Sequence, residues 1–135
     1  MWPQKQKSQT TLPDAPVEYP SGSFVRTEKG YFFISGPGKR LRIISHRVLD
    51  SWAPQRVIKT SEKAVAKYKV TSKIKFRNGS LIWSLGDARL YLVESGYRRH
   101  ITSPDALARI GAEGEVPMKV SLDEINLHPE GEPLN

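Results

Sequence analysis

The chain has 135 residues, 38% of them hydrophobic, and a net charge of +7, which allows one ordinary domain or two very small ones. It contains no cysteine, so disulfide cross-links, thiolate catalysis and cysteine-ligated metals are excluded. Its apolar runs are too short for a membrane-spanning helix, and the first residues lack the apolar core of a signal peptide. We therefore expect no membrane insertion.

The positive charge is concentrated in the first part of the chain. Residues 1–80 contain 16 Lys or Arg and 5 Asp or Glu, whereas residues 81–135 contain 5 and 9. Such an imbalance is typical of a protein that meets nucleic acid, an anionic polymer or an acidic protein surface. The acidic half of another copy, or solvent alone, would explain the basic half equally well.

Residues 1–20 are predicted to form an extended N-terminal arm. Prolines and polar residues dominate this stretch, which shows neither a helical nor a strand period. Four apolar residues are spaced along it and would anchor it on a neighbouring subunit: Trp2, Leu12, Val17 and Tyr19. A disordered tail is the alternative.

Residues 21–77 are predicted to form a first repeat unit. Apolar residues between glycine turns indicate three strands: 24–27, 31–34 and 39–44. A brief extended segment is expected at 57–59. Serines in helix-start positions indicate two short helices, 46–52 after Ser45 and about 62–69 after Ser61. Alternation then predicts a strand over 70–77.

Residues 78–128 are predicted to form a second unit on the same plan, with strands over 80–84, 90–93 and 97–101. Ser103, Pro104 and Gly111 mark the N-cap, the first position and the end of a helix. Ser121 and Glu124 have the spacing of a capping box, which predicts a helix from 122 to about 127. Residues 129–135 are expected to be a loose C-terminal tail.

The two units can be aligned by their helix caps. Ser45 and Ser103 lie 58 positions apart, and Ser61 and Ser121 lie 60 apart. The Asn78-Gly79 pair predicts a hairpin over residues 73–84 that joins the units. The predicted fold is therefore α+β, mostly β, with two tandem small units. Each unit would be a three-stranded antiparallel meander followed by short helices.

The sequence contains polar groups that invite a catalytic interpretation. His100, Ser103 and Asp105 lie close together, but Ser103 and Asp105 already suit the start of a helix. The histidines lack metal-ligand spacing: His46, His100 and His128. The glycine-rich run at 36–40 leads into a strand, whereas a phosphate-binding loop leads into a helix. We therefore predict a protein that is not an enzyme and uses no metal or cofactor.

Arginines and aromatic residues recur on matched strands of the two units: Tyr31, Arg40, Arg42, Trp83, Tyr97, Arg98 and Arg99. Together they would form a basic and aromatic surface for an anionic or sugar polymer. The alternative is a solvated strand face on which arginine stems cover aromatic rings.

The sequence YLVESGYRRHITSPDAL, from Tyr91 to Leu107, resembles a short β-rich module repeated in actinobacterial cell-surface proteins and in structural proteins of actinobacterial phages. The segment VSLDE, ending at Glu124, completes the pattern. Residues 78–128 match it well and residues 21–70 weakly, because Ser45 is followed by histidine where the module has proline. Arg-Leu-Arg also replaces Arg-Arg-His in the preceding strand. The resemblance implies a non-enzymatic module without a fixed ligand.

We therefore expect a structural protein of a phage virion, a small head or tail component that works by assembly. Its partners would be other virion proteins and copies of itself, with nucleic acid or an anionic polymer on the basic half. The first alternative is a cell-wall or glycan-binding module at the bacterial surface or secreted. The second is a nucleic-acid-binding accessory protein.

Overall fold

A computed structural model describes residues 11–135, which fold into two β-sheets and a few short helices. The strands are β1 (Phe24–Thr27), β2 (Gly30–Gly36), β3 (Lys39–Ile43), β4 (Ile58–Lys59), β5 (Lys69–Lys73), β6 (Leu81–Trp83), β7 (Leu90–Glu94), β8 (Tyr97–His100) and β9 (Met118–Lys119). The helices are α1 (His46–Ser51), α2 (Glu62–Val65), α3 (Pro104–Arg109) and α4 (Leu122–Ile125). The architecture is α+β and rich in β-structure, in agreement with the predicted class.

The first sheet has the strand order β4-β1-β2-β3-β5. β1 runs antiparallel to β2 and parallel to the short β4, so Val25 lies between Phe32 and Ile58. Alternate residues of these strands face a core that also receives side chains from α2 and the residues after it: Val25, Phe32, Ile34, Val65 and Tyr68. The described residues of this core lie between positions 19 and 68.

The described part of the N-terminal arm lies on this same core. The backbone N–H of Val17 donates to the carbonyl oxygen of Ala64 at 3.0 Å. Tyr19 packs against the core cluster, whereas the side chain of Leu12 is 43% exposed. Trp2 lies outside the described residues. Val17 and Tyr19 therefore contribute to the fold of their own chain.

The second sheet has the strand order β8-β7-β6-β9, with β6, β7 and β8 antiparallel and β9 parallel to β6. One face packs against α3 through an apolar cluster: Leu81, Leu90, Leu92, Ile101, Ala106, Leu107, Ile110, Ala112 and Leu134. The opposite face carries Ile82, Tyr91 and Val93, whose side chains are almost completely buried. Both faces of this sheet are therefore covered.

The described chain divides into two compact units whose limits differ from the repeats 21–77 and 78–128. Unit 1 contains residues 11–42 and Gln55–Ser72, and unit 2 contains Ile43–Pro54 and Lys73–Asn135. Helix α1 follows β3 along the chain but belongs to unit 2. Ser45 and Arg47 at its start bind the carboxylate of Glu124 in α4.

The predicted hairpin over residues 73–84 is wrong. β5 ends at Lys73 and belongs to the first sheet, whereas β6 belongs to the second. The backbone N–H of Phe76 donates to the ring of buried His128 at 3.2 Å, so it is not part of a strand ladder. Asn78-Gly79 does form a turn, in which Gly79 has a φ of 92°. The turn enters β6 without pairing it to β5.

Two helices are shorter than predicted, since α2 ends at Val65 and α4 at Ile125. In both cases the chain continues into a turn that precedes an extended segment. Within residues 11–135, no helix is long and apolar enough to cross a membrane.

Candidate functional site

The predicted basic and aromatic residues are divided between the two units. Tyr31, Arg40 and Arg42 lie in unit 1, and the remaining four lie in unit 2: Trp83, Tyr97, Arg98 and Arg99. We therefore consider the two groups separately. The group on β8 forms the better defined site.

Arg40 was predicted to lie on the surface, but only 7% of this residue is exposed to solvent. Its two Nη atoms bind both carboxylate oxygens of Glu62, at 2.9 and 2.7 Å, and its Nε donates to the carbonyl oxygen of Tyr68 at 2.8 Å. Hydrogen bonds from Arg40 lower the pKa of Glu62 to about 2, although partial burial acts in the opposite direction. Arg40 is thus a structural residue of unit 1, because its guanidinium is fully engaged.

Arg42 and Tyr31 lie in the same sheet as Arg40, and Arg42 shares the ring of Phe32 with Arg40. The guanidinium of Arg42 is 4.9 Å from the ring centre of Phe32, and that of Arg26 is 5.5 Å from the ring centre of Tyr31. The guanidinium groups of Arg26 and Arg42 thus lie over aromatic rings of the same sheet.

Arg98 on β8 holds the end of α4. Its Nη1 donates to the carbonyl oxygens of Ile125 at 3.2 Å and His128 at 2.7 Å. The guanidinium lies 5.4 Å from the ring centre of Tyr91. Its Nε is buried and has no hydrogen-bond partner within the described part of the chain. Arg98 therefore fixes the segment that leads out of α4.

That segment, residues 129–135, is called here the tail segment, and it pairs with β8 instead of forming a loose tail. Parallel bridges join Arg98 to Glu130 and Ile101 to Leu134. The backbone N–H of Gly131 donates to the carbonyl oxygen of Arg98 at 2.9 Å, and that of Leu134 to the carbonyl oxygen of His100 at 2.8 Å. We call residues 97–102 the acceptor edge.

Side chains add specificity to this main-chain pairing. Leu134 packs against the apolar cluster between α3 and the second sheet. A Cβ atom on Gly131 would lie 3.0 Å from the Cβ of Tyr97, so no larger residue fits there without displacement. Thr102 Oγ1 donates to the carbonyl oxygen of Leu134 at 3.0 Å. The acceptor edge thus requires a glycine and a leucine three positions apart.

The charges of the two strands are complementary. Arg89 and Arg98 lie 3.4 and 3.9 Å from the carboxylate of Glu130. Arg99 Nε donates to the carbonyl oxygen of Glu132 at 2.7 Å, and its Nη1 binds Glu94 at 2.6 Å. The ligand of the predicted Arg98–Arg99 surface is therefore an acidic strand of the same chain. Exposed ion pairs of this kind set register and orientation more than stability.

Tyr97 and Trp83 have separate positions. Tyr97 is 49% exposed and lines an open cleft on the acceptor edge with Ser95, Arg99 and Gly131. Trp83 lies in β6 beside Leu90 and Lys119. Of the four predicted residues in unit 2, the acceptor edge contains Tyr97, Arg98 and Arg99.

The four predicted cap serines each accept a hydrogen bond from the backbone N–H three residues later: Ser45, Ser61, Ser103 and Ser121. Pro104 occupies the first turn of α3, and Gly111, with a φ of 75°, follows its end. Ser61 also donates to the carbonyl oxygen of Pro13 in the arm. These residues organise the elements around the two cores.

Glu124 has a role beyond its predicted capping box. The carboxylate accepts from the backbone N–H of Ser121 at 2.7 Å, from the Ser45 hydroxyl and from Arg47 at 2.9 Å. Burial raises the pKa of Glu124, but these hydrogen bonds outweigh burial and hold it below the usual range. A buried carboxylate therefore ties α1 to α4.

His128 is completely buried beside the acceptor edge. Its Nδ1 lies 2.9 Å from the carbonyl oxygen of Gly96, and its Nε2 accepts from the backbone N–H of Phe76. This pairing assigns the proton to Nδ1, so the ring is neutral. Burial lowers the pKa of His128, and nearby Lys75 and Arg98 act in the same direction, against the hydrogen bond to Gly96.

His100, Ser103 and Asp105 were considered as a catalytic group. In the structure, the Ser103 side chain caps α3. The ring of His100 lies 6.0 Å from that of Tyr91. The glycine-rich run at 36–40 is the turn between β2 and β3. Among the described residues, no cluster of His, Asp or Glu could hold a metal ion.

Sequence reasoning missed the pairing of the tail segment. The sequence contains one signal for this pairing. Leu134 is the single large apolar residue after Leu127, and it lies 60 positions after Ile74. Ile74 directly follows β5, the strand beside β3. The same offset of 60 relates the caps of α2 and α4.

Comparisons with protein-family models, with curated proteins and with solved structures find no match to this chain.

Proposed function

We propose that this chain is a non-enzymatic structural protein of a phage virion, a small head or tail component that acts through contacts with neighbouring subunits. The observation that carries the proposal is the acidic tail segment paired with the arginine-lined acceptor edge. Strand addition to a sheet edge is a common way for proteins to join, since main-chain hydrogen bonds supply affinity and alternate side chains supply specificity. The resemblance of residues 78–128 to modules of phage structural proteins supports the virion as the location.

The proposal includes a tandem arrangement of two copies of one module. Both sheets place a short parallel strand beside the first strand of an antiparallel pair. In both halves an arginine of the third strand stacks on a buried aromatic ring of the second strand: Arg40 on Phe32 and Arg98 on Tyr91. In both, serine caps precede the two helices. A duplicated module would give a small protein two related binding faces.

The engagement of polar groups supports a structural role over catalysis. Ser103 caps a helix, Glu62 is held by Arg40, and Glu124 and His128 are buried with hydrogen-bond partners. A catalytic acid, base or nucleophile must instead reach a substrate. These groups would lose their present partners if they did so.

In this proposal, only the first part of the N-terminal arm docks on a neighbouring subunit. Val17 and Tyr19 hold the arm to unit 1, so they are not available for a neighbour. Leu12 is exposed beside Arg26 and Lys59, in a groove along the edge of the first sheet. Docking of the arm on another subunit therefore depends on Leu12 and, as a prediction, on Trp2.

Two measurements test this function. Particles released by the producing cells are purified on a density gradient, and peptides of this chain are quantified by mass spectrometry. We expect a constant ratio to the other particle proteins, and loss of the chain to the free-protein fractions would contradict the proposal. Light scattering then compares the full chain with one lacking residues 1–12, which keeps Val17 and Tyr19, and we expect the shorter chain to assemble less.

A second candidate function is binding of a single-stranded nucleic acid by unit 1. Its described residues contain 10 Lys or Arg against 4 Asp or Glu. On the outer side of the first sheet, Lys59, Arg26 and Tyr31 lie side by side across three neighbouring strands. Phe24 and Phe33 form the next row, with ring centres 5.0 Å apart. Cations beside aromatic rings suit a phosphate backbone with stacked bases.

Fluorescence anisotropy with a labelled single-stranded oligonucleotide tests this candidate. Replacing Arg26 and Lys59 with glutamate should weaken binding more than tenfold and reduce its dependence on salt. The control variant places glutamate at Lys63 and Lys69, which are exposed in the same unit and change the charge equally. Equal losses in both variants would indicate non-specific attraction, and tighter binding to an anionic glycan would favour the cell-wall alternative.

A further inference from the structure

The tail segment is held to the acceptor edge by few buried contacts. Among residues 129–135 only Gly131 and Leu134 are partly buried, and the rest are exposed. Most of the remaining contacts are main-chain hydrogen bonds and exposed ion pairs. Segments with a single apolar anchor open at low free energy while the rest of a protein stays folded. The tail segment can therefore leave the acceptor edge without unfolding unit 2.

The position where it would separate is also defined. His128 is completely buried and fixed by Gly96 and Phe76, whereas Pro129 and Glu130 are exposed. A short, proline-containing connection after a fixed residue is the kind of hinge at which proteins exchange identical elements between copies. The hinge therefore lies between His128 and Glu130.

An open acceptor edge would present unpaired backbone groups of β8 and an unfilled site for Leu134. Each is an unfavourable surface in water, and an exposed strand edge pairs readily with another chain. The segment that fits this site best is one with glycine and leucine three positions apart and with acidic neighbours. Every other copy of this chain carries that segment.

We propose that copies of this chain assemble by exchanging their tail segments, so that residues 129–135 of one copy pair with the acceptor edge of a second copy. The contacts made between copies are those now seen within one chain. The exchange needs no new interface chemistry, and it is heterologous, since a tail meets an edge. Depending on the rotation between copies, it gives a closed pair, a ring or a filament. This inference rests on the proposed assembly function and names its partner as a second copy.

Disulfide trapping tests the exchange, because the natural chain has no cysteine. Thr102 and Asn135 are exposed, and their side chains are in contact, with Oγ1 and Oδ1 3.1 Å apart, so cysteines at these positions would lie near each other. A Thr102→Cys chain and an Asn135→Cys chain are purified separately, mixed, incubated and oxidised. We expect a disulfide-linked heterodimer at least tenfold more abundant than in a control mixture of Ser35→Cys with Asn135→Cys. Ser35 is exposed and belongs to unit 1, whereas the acceptor edge belongs to unit 2.

The double variant Thr102→Cys/Asn135→Cys provides a second, independent test. Oxidised at low concentration, it should form the disulfide within one chain and lock the tail segment in place. We expect the locked chain to assemble at least tenfold less than its reduced form by light scattering. If the lock forms but the mixed single variants give only the control level of heterodimer, the exchange is wrong. Assembly that persists in the locked chain would likewise overturn the exchange while leaving the proposed assembly function intact.

Discussion

Each of the two units contains an arginine beside a buried aromatic ring, and the two arginines have different polar partners. In each half the arginine stacks on a buried aromatic ring and donates to the carbonyl oxygen of a residue after the second helix: Arg40, Phe32 and Tyr68 in the first, Arg98, Tyr91 and His128 in the second. Arg40 also has a bidentate carboxylate partner, whereas Nη1 of Arg98 binds backbone carbonyls and its Nη2 lies 3.9 Å from Glu130. An arginine stacked on an aromatic ring is thus held in two different ways in this chain.

The carboxylates at the starts of α2 and α4 also have different partners in the two units. In the first half Glu62 begins α2 and binds Arg40. In unit 2, α4 begins with Leu122, and its buried carboxylate is that of Glu124, two residues later. There it binds Ser45 and Arg47 at the start of α1. Placing the charge on another side of the helix gives α1 its anchor in unit 2.

The largest effect should come from breaking the ion pair of unit 1. Arg40→Met leaves Glu62 without its partner and should lower the free energy of unfolding of unit 1 by about 3–5 kcal/mol. Arg98→Met, the matched change in unit 2, should cost about 1–3 kcal/mol. Urea unfolding followed by circular dichroism gives the totals, and hydrogen exchange assigns them to a unit.

The double variant Arg40→Met/Glu62→Met is the control for this prediction. Because it removes both charges together, it should lose much less stability than Arg40→Met alone. A double variant as unstable as the single one would show that Arg40 acts through packing on Phe32, 4.3 Å away, and not through charge.

Glu124→Ala tests the carboxylate of unit 2. The change removes the acceptor for Ser45, Arg47 and the backbone of Ser121, so we expect a loss of about 2–3 kcal/mol, with faster hydrogen exchange in α1. Asp123→Ala is the control, because Asp123 is an exposed acid on the same helix. Similar losses in the two variants would contradict the anchoring role.

Gly131→Ala tests the close approach of the tail segment to Tyr97. A methyl group 3.0 Å from the Tyr97 Cβ should displace the tail and cost about 1–2 kcal/mol. Gly36→Ala in β2 is the matched change in the first sheet, where a Cβ would meet nothing within 4 Å. We expect this control to be nearly neutral in thermal unfolding, and equal effects would refute the steric argument.

The smallest effect should be a pH dependence specific to His128. Burial lowers its folded-state pKa below the usual 6.5, so protons bind preferentially to the unfolded state as the pH falls. Its contribution to stability is complete above pH 6.5 and declines below it, by at most about 1.4 kcal/mol over the first pH unit. His128→Asn should flatten the curve between pH 7.5 and 5.5, and an unchanged slope would assign the dependence to other groups.

Glu62 contributes a pH dependence of the unfolding free energy at lower pH than His128 does. Its folded-state pKa of about 2 lies below the ordinary value of 4.5, so its contribution is complete above pH 4.5 and is lost as the pH falls toward 2. The loss from His128 belongs to unit 2, whereas the loss at lower pH combines Glu62 of unit 1 with Glu124 of unit 2, whose pKa is also lowered.

Several elements could be read from local sequence because local chemistry governs them. The starts of the four helices follow from Ser45, Ser61, Ser103 and Ser121, whose side chains bind their own backbone. The strands of the second sheet follow from alternation of apolar and polar residues between glycine turns. These features depend on neighbours within a few residues, so a single sequence contains the necessary information.

Other features depended on partners distant in sequence. Arg40 was expected at the surface because arginines and aromatic residues recur on the predicted strands, yet it is buried and paired with Glu62, 22 positions away. The strand over 70–77 ended early because Phe76 meets His128, 52 positions away. The tail segment has no periodic pattern of its own and becomes a strand only because β8 offers it unpaired backbone groups.

The sequence by itself determined the β-rich class, the helix starts, the glycine turns and the excess of basic residues in the first half, since each follows from composition or from short-range hydrogen bonding. The tertiary structure decided which sheet each strand joins, which arginines are buried and where the acidic tail segment lies. Those outcomes arise from pairing between residues tens of positions apart. The free energy of such pairing depends on burial and geometry, which no local pattern encodes.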